Sequence, residues 1–168
     1  EQSCGVAWNT LGLALATATG TTVLGTLLAL LTERALVRAR PLVRVMSILP
    51  IVTPPFVVGL GLILLFGRAG LVNEALEHLF GLEPSRWFYS AKGVWLAQMI
   101  AFTPISYLMM RGVTQAIAPT LEEAAQTLRA KPMYAFVSVT LPLLGPGLAN
   151  AFLVGFIESM SDFGNPIV

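Results

Sequence analysis

One cysteine and one histidine are all that this chain of 168 residues holds of two side chains much used to bind metals. Cys4 has no partner for an internal disulfide and reads as a small apolar residue near a membrane surface. His78 sits among solvated charges, with no second His or Cys nearby to build a metal site. Charge is equally scarce. Only 11% of the residues are Asp, Glu, Lys or Arg, against about 25% in an ordinary soluble domain. The net charge of +1 offers no basic face for nucleic acid. There is no G-x-x-x-x-G-K phosphate loop, so no nucleotide site is expected, and no bound cofactor or metal either. Glu1 to Gly5 lack the basic start of a signal peptide.

Apolar residues make up 55% of the chain and mean hydropathy is +0.76. A soluble protein of this composition would expose a large greasy surface to water, so lipid is the expected solvent. Charges divide the sequence sharply. None lies between Glu1 and Glu33, Arg44 and Arg68, Lys92 and Arg111, or Lys131 and Glu158. A membrane helix needs about 20 mostly apolar residues, and even the shortest of these gaps covers about 27 Å as a helix. The pattern predicts four spans, roughly 8–31, 48–66, 93–110 and 144–165, and hence an all-α, polytopic membrane bundle. The polar residues of the first span are mainly Thr and Gly, from Thr17 to Thr26. They read as packing residues, since Thr bonds its own helix backbone and Gly lets a neighbour approach closely.

Orientation follows from basic residues in short loops. With the first and third loops cytoplasmic, seven Lys and Arg lie inside and three outside, which places the N-terminus outside. In the external second loop, Val72, Ala75, Leu76 and Leu79 share one helical face, with Glu74 and Glu77 off it. That pattern predicts a short surface helix, followed by Trp87, Phe88 and Tyr89 as interfacial anchors. Pro50, Pro54 and Pro55 have two readings: a break that borders a cavity, or a simple helix start with proline in its first turn.

The segment from Pro119 to Pro142 carries the most information. Thr120 with Glu123 three residues on has the form of a capping box and predicts a helix from Thr120 to Ala130. Leu121, Ala124, Ala125 and Leu128 give it one apolar face. Glu122 and Glu123 in the first turn, with Arg129 and Lys131 at the end, suit the helix dipole. Pro132 stops it, and a second short helix or turn around Met133–Val139 leads into the fourth span. Such a cytoplasmic helix fits either a groove on a partner or the inner surface of its own bundle.

Glu123-Ala124-Ala125, followed by Leu141-Pro142, resembles the EAA loop of the permease subunits of binding-protein-dependent ABC importers. The likeness runs through nearly the whole chain, from Asn9-Thr10-Leu11 through Leu49-Pro50 to Pro146-Gly147. It implies a single transmembrane permease domain over 1–168 in a bacterial inner membrane, working with a cytoplasmic ATPase, an external solute-binding protein and a second permease half or copy. It also implies that Glu123, Ala124, Ala125 and Leu128 dock on the ATPase. The family core has a further helix after the fourth span, so the chain reads as a piece of a longer protein. One position departs from the pattern: where the family has glycine six residues after the Glu, this chain has Arg129. Glycine permits a positive φ, at which arginine is strained. Either the turn is built differently or coupling is altered, with Arg129 capping its helix or reaching an acidic site on the ATPase.

The fourth span ends on Glu158, Ser161, Asp162 and Asn165. Glu158, Asp162 and Asn165 fall at i, i+4 and i+7 on one face, at its external end. They read either as markers of the water interface or as a polar wall of the translocation path. Ser161-Asp162-Phe163-Gly164-Asn165-Pro166 resembles the ferric-iron branch of the same permeases, and hard oxygen ligands suit a hard cation. Related branches carry thiamine, polyamines or phosphonates. An ion-coupled transporter or channel is the competing class; it needs charged or broken helices in the middle of the membrane, and the mid-span positions here are uncharged, which argues against it. A membrane enzyme needs acids or histidines clustered at one membrane face.

Overall fold

The computed structural model describes residues 2–34, 40–81, 87–127, 129 and 131–162. Helix α1 runs Gln2–Glu33, α2 Arg40–Ile48, α3 Pro55–Phe66, α4 Leu71–Phe80, α5 Ala91–Ala116, α6 Pro119–Thr127, α7 Pro132–Ala135 and α8 Leu141–Ser161. Short 3-10 turns cover Leu49–Val52 and Trp87–Tyr89, and a π-helical turn, Phe136–Thr140, joins α7 to α8. Among the described residues four stretches are long and apolar enough to cross a membrane: Gly5–Glu33, Pro55–Leu79, Ala91–Ala116 and Pro132–Ser161. The fold is therefore the all-helical membrane bundle that the charge gaps predict.

Helices α1, α5 and α8 form the centre. Their packing inverts the soluble pattern. Large apolar side chains such as Leu27, Leu31, Leu153 and Ile157 face outward, while Ala14, Thr17, Ala18, Thr21 and Ala29 of α1 are buried. On α8 the buried line is Leu144, Gly147, Ala151, Gly155 and Ser159. In lipid there is no hydrophobic gain in moving Leu from tail to helix, so close backbone approach through small residues holds helices together. A methyl carbon added at Gly25 would lie 2.7 Å from the backbone of Ser106 and Tyr107 on α5. One at Gly155 would lie 2.9 Å from Thr21 Oγ1 and 3.4 Å from Ala18 Cα. The threonine hydroxyls turn onto their own helix as expected: Thr19 donates to the Leu15 carbonyl at 2.7 Å, Thr21 to Thr17 at 2.9 Å and Thr26 to Thr22 at 2.6 Å.

The second crossing differs from the 48–66 span expected. Helix α3 has 12 residues, a rise of about 18 Å, well short of the roughly 30 Å of hydrocarbon. The apolar stretch runs on from α3 into α4 as far as Leu79. Ahead of α3 the helix is broken at Leu49–Pro54, and α2 before the break exposes Leu42, Val45 and Met46. Thr53 N donates to the Pro50 carbonyl at 3.1 Å, and Val57 N to the Pro54 carbonyl at 2.9 Å, which offsets part of the lost backbone bonding. Pro55 sits in the first turn of α3, so both readings of the prolines hold, each for a different residue. The break borders a cavity of about 560 Å³ between α1, α2 and α5, with Leu24, Met46, Pro50, Met99 and Pro104 in its wall. Pro50 therefore lies level with the middle of α5. The apolar wall suits acyl chains or another apolar helix, and not a hydrated cation.

On the opposite side of the membrane from the α2 arginines, α4 forms where periodicity places it. Val72 and Leu76 are half-buried, and Glu74, Glu77 and His78 are exposed. The Ala75 and Leu79 edge of the expected apolar face is exposed instead, and the buried residue is Asn73. Asn73 Nδ2 donates to the carbonyls of Gly67 at 2.8 Å and Phe66 at 3.4 Å, tying α4 to the end of α3. Phe88 is not an interfacial anchor. It is 6% exposed and stacks on Phe66 with ring centroids 6.1 Å apart, so this aromatic joins α3 to the start of α5. Tyr89 is exposed, as an anchor would be.

Gly25→Ala tests the close-packing account. Alanine favours a helix over glycine by about 1 kcal/mol, but the clash with α5 backbone opposes it by about 1–3 kcal/mol. Reversible unfolding in mixed micelles is expected to show net destabilisation. Gly12→Ala, with nothing within 4 Å of the added carbon, is expected to be neutral or stabilising.

Candidate functional site

The segment between α5 and α8 folds into a corner. Helix α6 begins at Pro119, because proline lacks only an N–H that a first turn leaves unused. Thr120 is therefore inside the first turn rather than ahead of it as a cap. Leu121 N donates to the Ala118 carbonyl at 3.2 Å. The helix ends at Thr127, short of the expected Ala130, and the Thr127 hydroxyl closes the last turn on the Glu123 carbonyl at 2.8 Å. Glu123 and Ala124 are exposed and Ala125 is half-buried. Leu121 is exposed too, as are Met133, Tyr134 and Val137 beyond the corner. Leu128 lies outside the described residues. Helix α6 rests on α7 and on the π-helical turn, whose continuation is Leu141-Pro142. Both of those residues are exposed at the start of α8. Most of the described side chains of α6 thus face outward instead of packing on their own bundle.

Arg129 sits at the corner with φ +59°, and it is the non-glycine residue of positive φ among those described. The turn is accordingly built in the way a glycine there would permit, and not differently. Holding a side chain in the left-handed region costs roughly 1–2 kcal/mol. Among the described residues its guanidinium has no hydrogen bond or ion pair, so it does not cap α6.

Above the corner, charge pairs fasten α1, α2 and α5 to one another. Glu33 of α1 accepts from Arg111 Nε of α5 at 2.8 Å and from Arg44 of α2 at 3.1 Å on one oxygen. Gln115 donates to the other oxygen at 3.1 Å. Arg34 donates to the carbonyls of Ile117 at 3.0 Å and Thr114 at 3.4 Å, satisfying the end of α5 with a cation where the helix dipole favours one. The sequence shows these residues only as borders of the apolar gaps. Nothing in their spacing reveals that Glu33 meets arginines from two other elements.

At the far end of the bundle lies a polar network that the sequence reading missed. Gln98 of α5 is wholly buried. Its Oε1 accepts from the hydroxyls of Thr17 on α1 at 2.9 Å and Ser159 on α8 at 2.7 Å. Its Nε2 donates to Asp162 at 3.0 Å. The only hint was one amide inside an otherwise uncharged gap. The expected face of Glu158, Asp162 and Asn165 is not what forms. Helix α8 ends at Ser161, and Asp162 takes an extended conformation, which turns its carboxylate toward Gln98 and so joins it to Ser159. Glu158 is half-buried on a neighbouring side, and Ser161 is exposed with its hydroxyl on the Glu158 carbonyl at 3.2 Å. Asn165 lies outside the described residues.

Residues 11–164 match the family model of the binding-protein-dependent transport system inner membrane component. The chain is 48% identical over 147 residues to the ferric transport system permease protein FbpB of Actinobacillus pleuropneumoniae, covering 88% of this chain and 21% of that relative. It is 36% identical to the molybdenum transport system permease protein ModB of Haemophilus influenzae, over 71% of this chain and 51% of that one. The chain thus spans about a fifth of the length of the ferric relatives and half that of the molybdenum one. Among solved structures, a bacterial alginate ABC transporter in complex with its pentasaccharide-bound periplasmic protein superposes with a TM-score of 0.75 at 18% identity. That likeness covers 94% of this chain and 60% of the other, and shows a shared fold.

Gln98→Leu removes the acceptor of the buried Thr17 and Ser159 hydroxyls and one donor to Asp162. Leaving a buried hydroxyl unpaired costs about 1–3 kcal/mol. Lowered thermal stability of the purified protein, with accelerated cleavage by a protease added from the Asp162 side, is the expected outcome. Gln98→Glu is expected to be worse than Gln98→Leu, because a second carboxylate would face Asp162.

Proposed function

Since this chain belongs to the family of binding-protein-dependent transport system inner membrane components, we propose that it forms part of the membrane path of an ATP-driven importer of ferric iron. The observation that carries the reading is α6, a short helix between two crossings whose Leu121, Glu123 and Ala124 stand exposed. ATP is hydrolysed on a separate cytoplasmic subunit that grips α6. An external binding protein delivers the solute, and a second permease half or copy completes the path. Residues 1–168 act as one transmembrane unit, because α1, α5 and α8 share a core. Movement of α6 reaches α5 directly and α8 through α7 and the π-helical turn, and rocks the bundle between outward and inward openings.

Iron as cargo is supported by the names of the relatives. The two ferric permeases share 48% and 47% of aligned residues with this chain, and the molybdenum permeases 36% and 34%. Asp162 and Glu158 at the external mouth are hard oxygen donors, suited to a hard trivalent cation and unsuited to an oxyanion. The apolar cavity beside the helix break is no part of that path.

In the full-length transporter reconstituted with its ATPase and binding protein, radiolabelled ferric iron is expected to accumulate, and molybdate is not. Accumulation of the oxyanion instead would reverse the cargo assignment. Glu123→Lys is expected to abolish uptake while leaving membrane insertion intact. Normal transport by that variant would remove α6 from the coupling route. Cysteines placed at Leu121 and Ala124 are expected to react with a membrane-impermeant thiol reagent only from the cytoplasmic side.

A further inference from the structure

Arg129 combines three properties that rarely meet. Its backbone lies at φ +59°, a region that favours glycine and sterically disfavours every other side chain except, mildly, Asn and Asp. Its side chain is exposed, at the end of the exposed helix α6. Its guanidinium makes no hydrogen bond or ion pair among the described residues. The strain is therefore not offset inside this chain by anything those residues provide. A residue held in a disfavoured conformation without internal compensation points to a role outside the fold.

The surroundings narrow that role. Lys131, two residues on, is also exposed, so the corner presents two cations. On the two elements that flank the corner, Leu121 of α6 and Met133 and Tyr134 of α7 are exposed as well. A patch of exposed apolar side chains edged by fixed positive charge matches a protein groove with a carboxylate at its rim. An Arg fork can hold that carboxylate by two parallel bonds, and lysine, a point charge, cannot.

We propose that Arg129 is an intermolecular contact residue: its guanidinium pairs with a carboxylate of the cytoplasmic ATPase that receives α6, at the expense of stability in the isolated chain. The proposal rests on the reading that α6 docks on that ATPase, and adds a specific anchor to it.

The test uses the full-length permease in nanodiscs, with its ATPase added at low and at high salt. Arg129→Gly is expected to raise the melting temperature of the permease alone and to weaken ATPase binding by about fivefold at low salt, with a smaller loss at high salt. Arg129→Lys is expected to keep the parent melting temperature and to recover part of the binding. If Arg129→Gly binds with the parent affinity and salt dependence while Glu123→Lys does not bind, Arg129 makes no contact and the docking of α6 stands. If neither substitution weakens binding, the docking itself fails, and the anchor with it. Loss of melting temperature in Arg129→Gly would show that the corner needs arginine for its own fold, which also overturns the proposal.

Discussion

Close approach of α1, α5 and α8 is the constraint from which the rest of the structure follows. Hydrocarbon gives apolar side chains no reason to prefer a helix over a lipid tail, so the three helices must gain contact in another way. Alanine, glycine and threonine at every third or fourth position bring backbones together, as at Gly25 against Ser106 and Gly155 against Ala18. Buried Thr21 and Thr32 cost little there, because their hydroxyls bond to carbonyls of their own helix, and Thr17 bonds to Gln98 instead. Bulky residues are displaced to the outside, where lipid accepts them.

Polar contacts then fix the ends of this unit. Glu33 with Arg44 and Arg111 holds one side, and Gln98 with Thr17, Ser159 and Asp162 holds the other. Each cluster draws on three elements, so each sets the register of helices that small residues alone would let slide. The second crossing is tied less tightly. It follows a break at Leu49–Pro54 beside an apolar cavity, and the two sides of that break can change angle at modest cost. The result is a firm three-helix unit with a looser neighbour. The corner formed by α6 and α7 lies between two helices of the firm unit, so a push on it moves the unit as a body.

Much of this was legible because membrane insertion leaves a coarse signature. The charge gaps located all four crossings. Periodicity located α4, and the Glu123-Ala124-Ala125 phrase located the cytoplasmic corner. Boundaries were less legible. The charge gap puts the start of the second crossing at 48, past Arg44, whereas the half-exposed Arg44 pairs with Glu33 of α1. Phe88 was read as an anchor because it stands between two other aromatics, and only the position of Phe66 turns it inward. Glu158 and Asp162 were placed on one face by helical spacing, which fails once the helix ends at Ser161.

The amino-acid sequence by itself determined what depends on composition and local spacing: the membrane as solvent, the number of crossings and the exposed helix with its acidic start. It also marked Arg129 as a departure, since any non-glycine residue at that place raises the question of its φ. Only the tertiary structure decided what depends on distant partners. It showed that the corner keeps a left-handed residue despite the side chain, that Gln98 is the hub of the external end, and that Glu33 joins three elements. Burial and pairing are set by residues about 60 to 80 positions away in sequence, and no local pattern encodes which of them will meet.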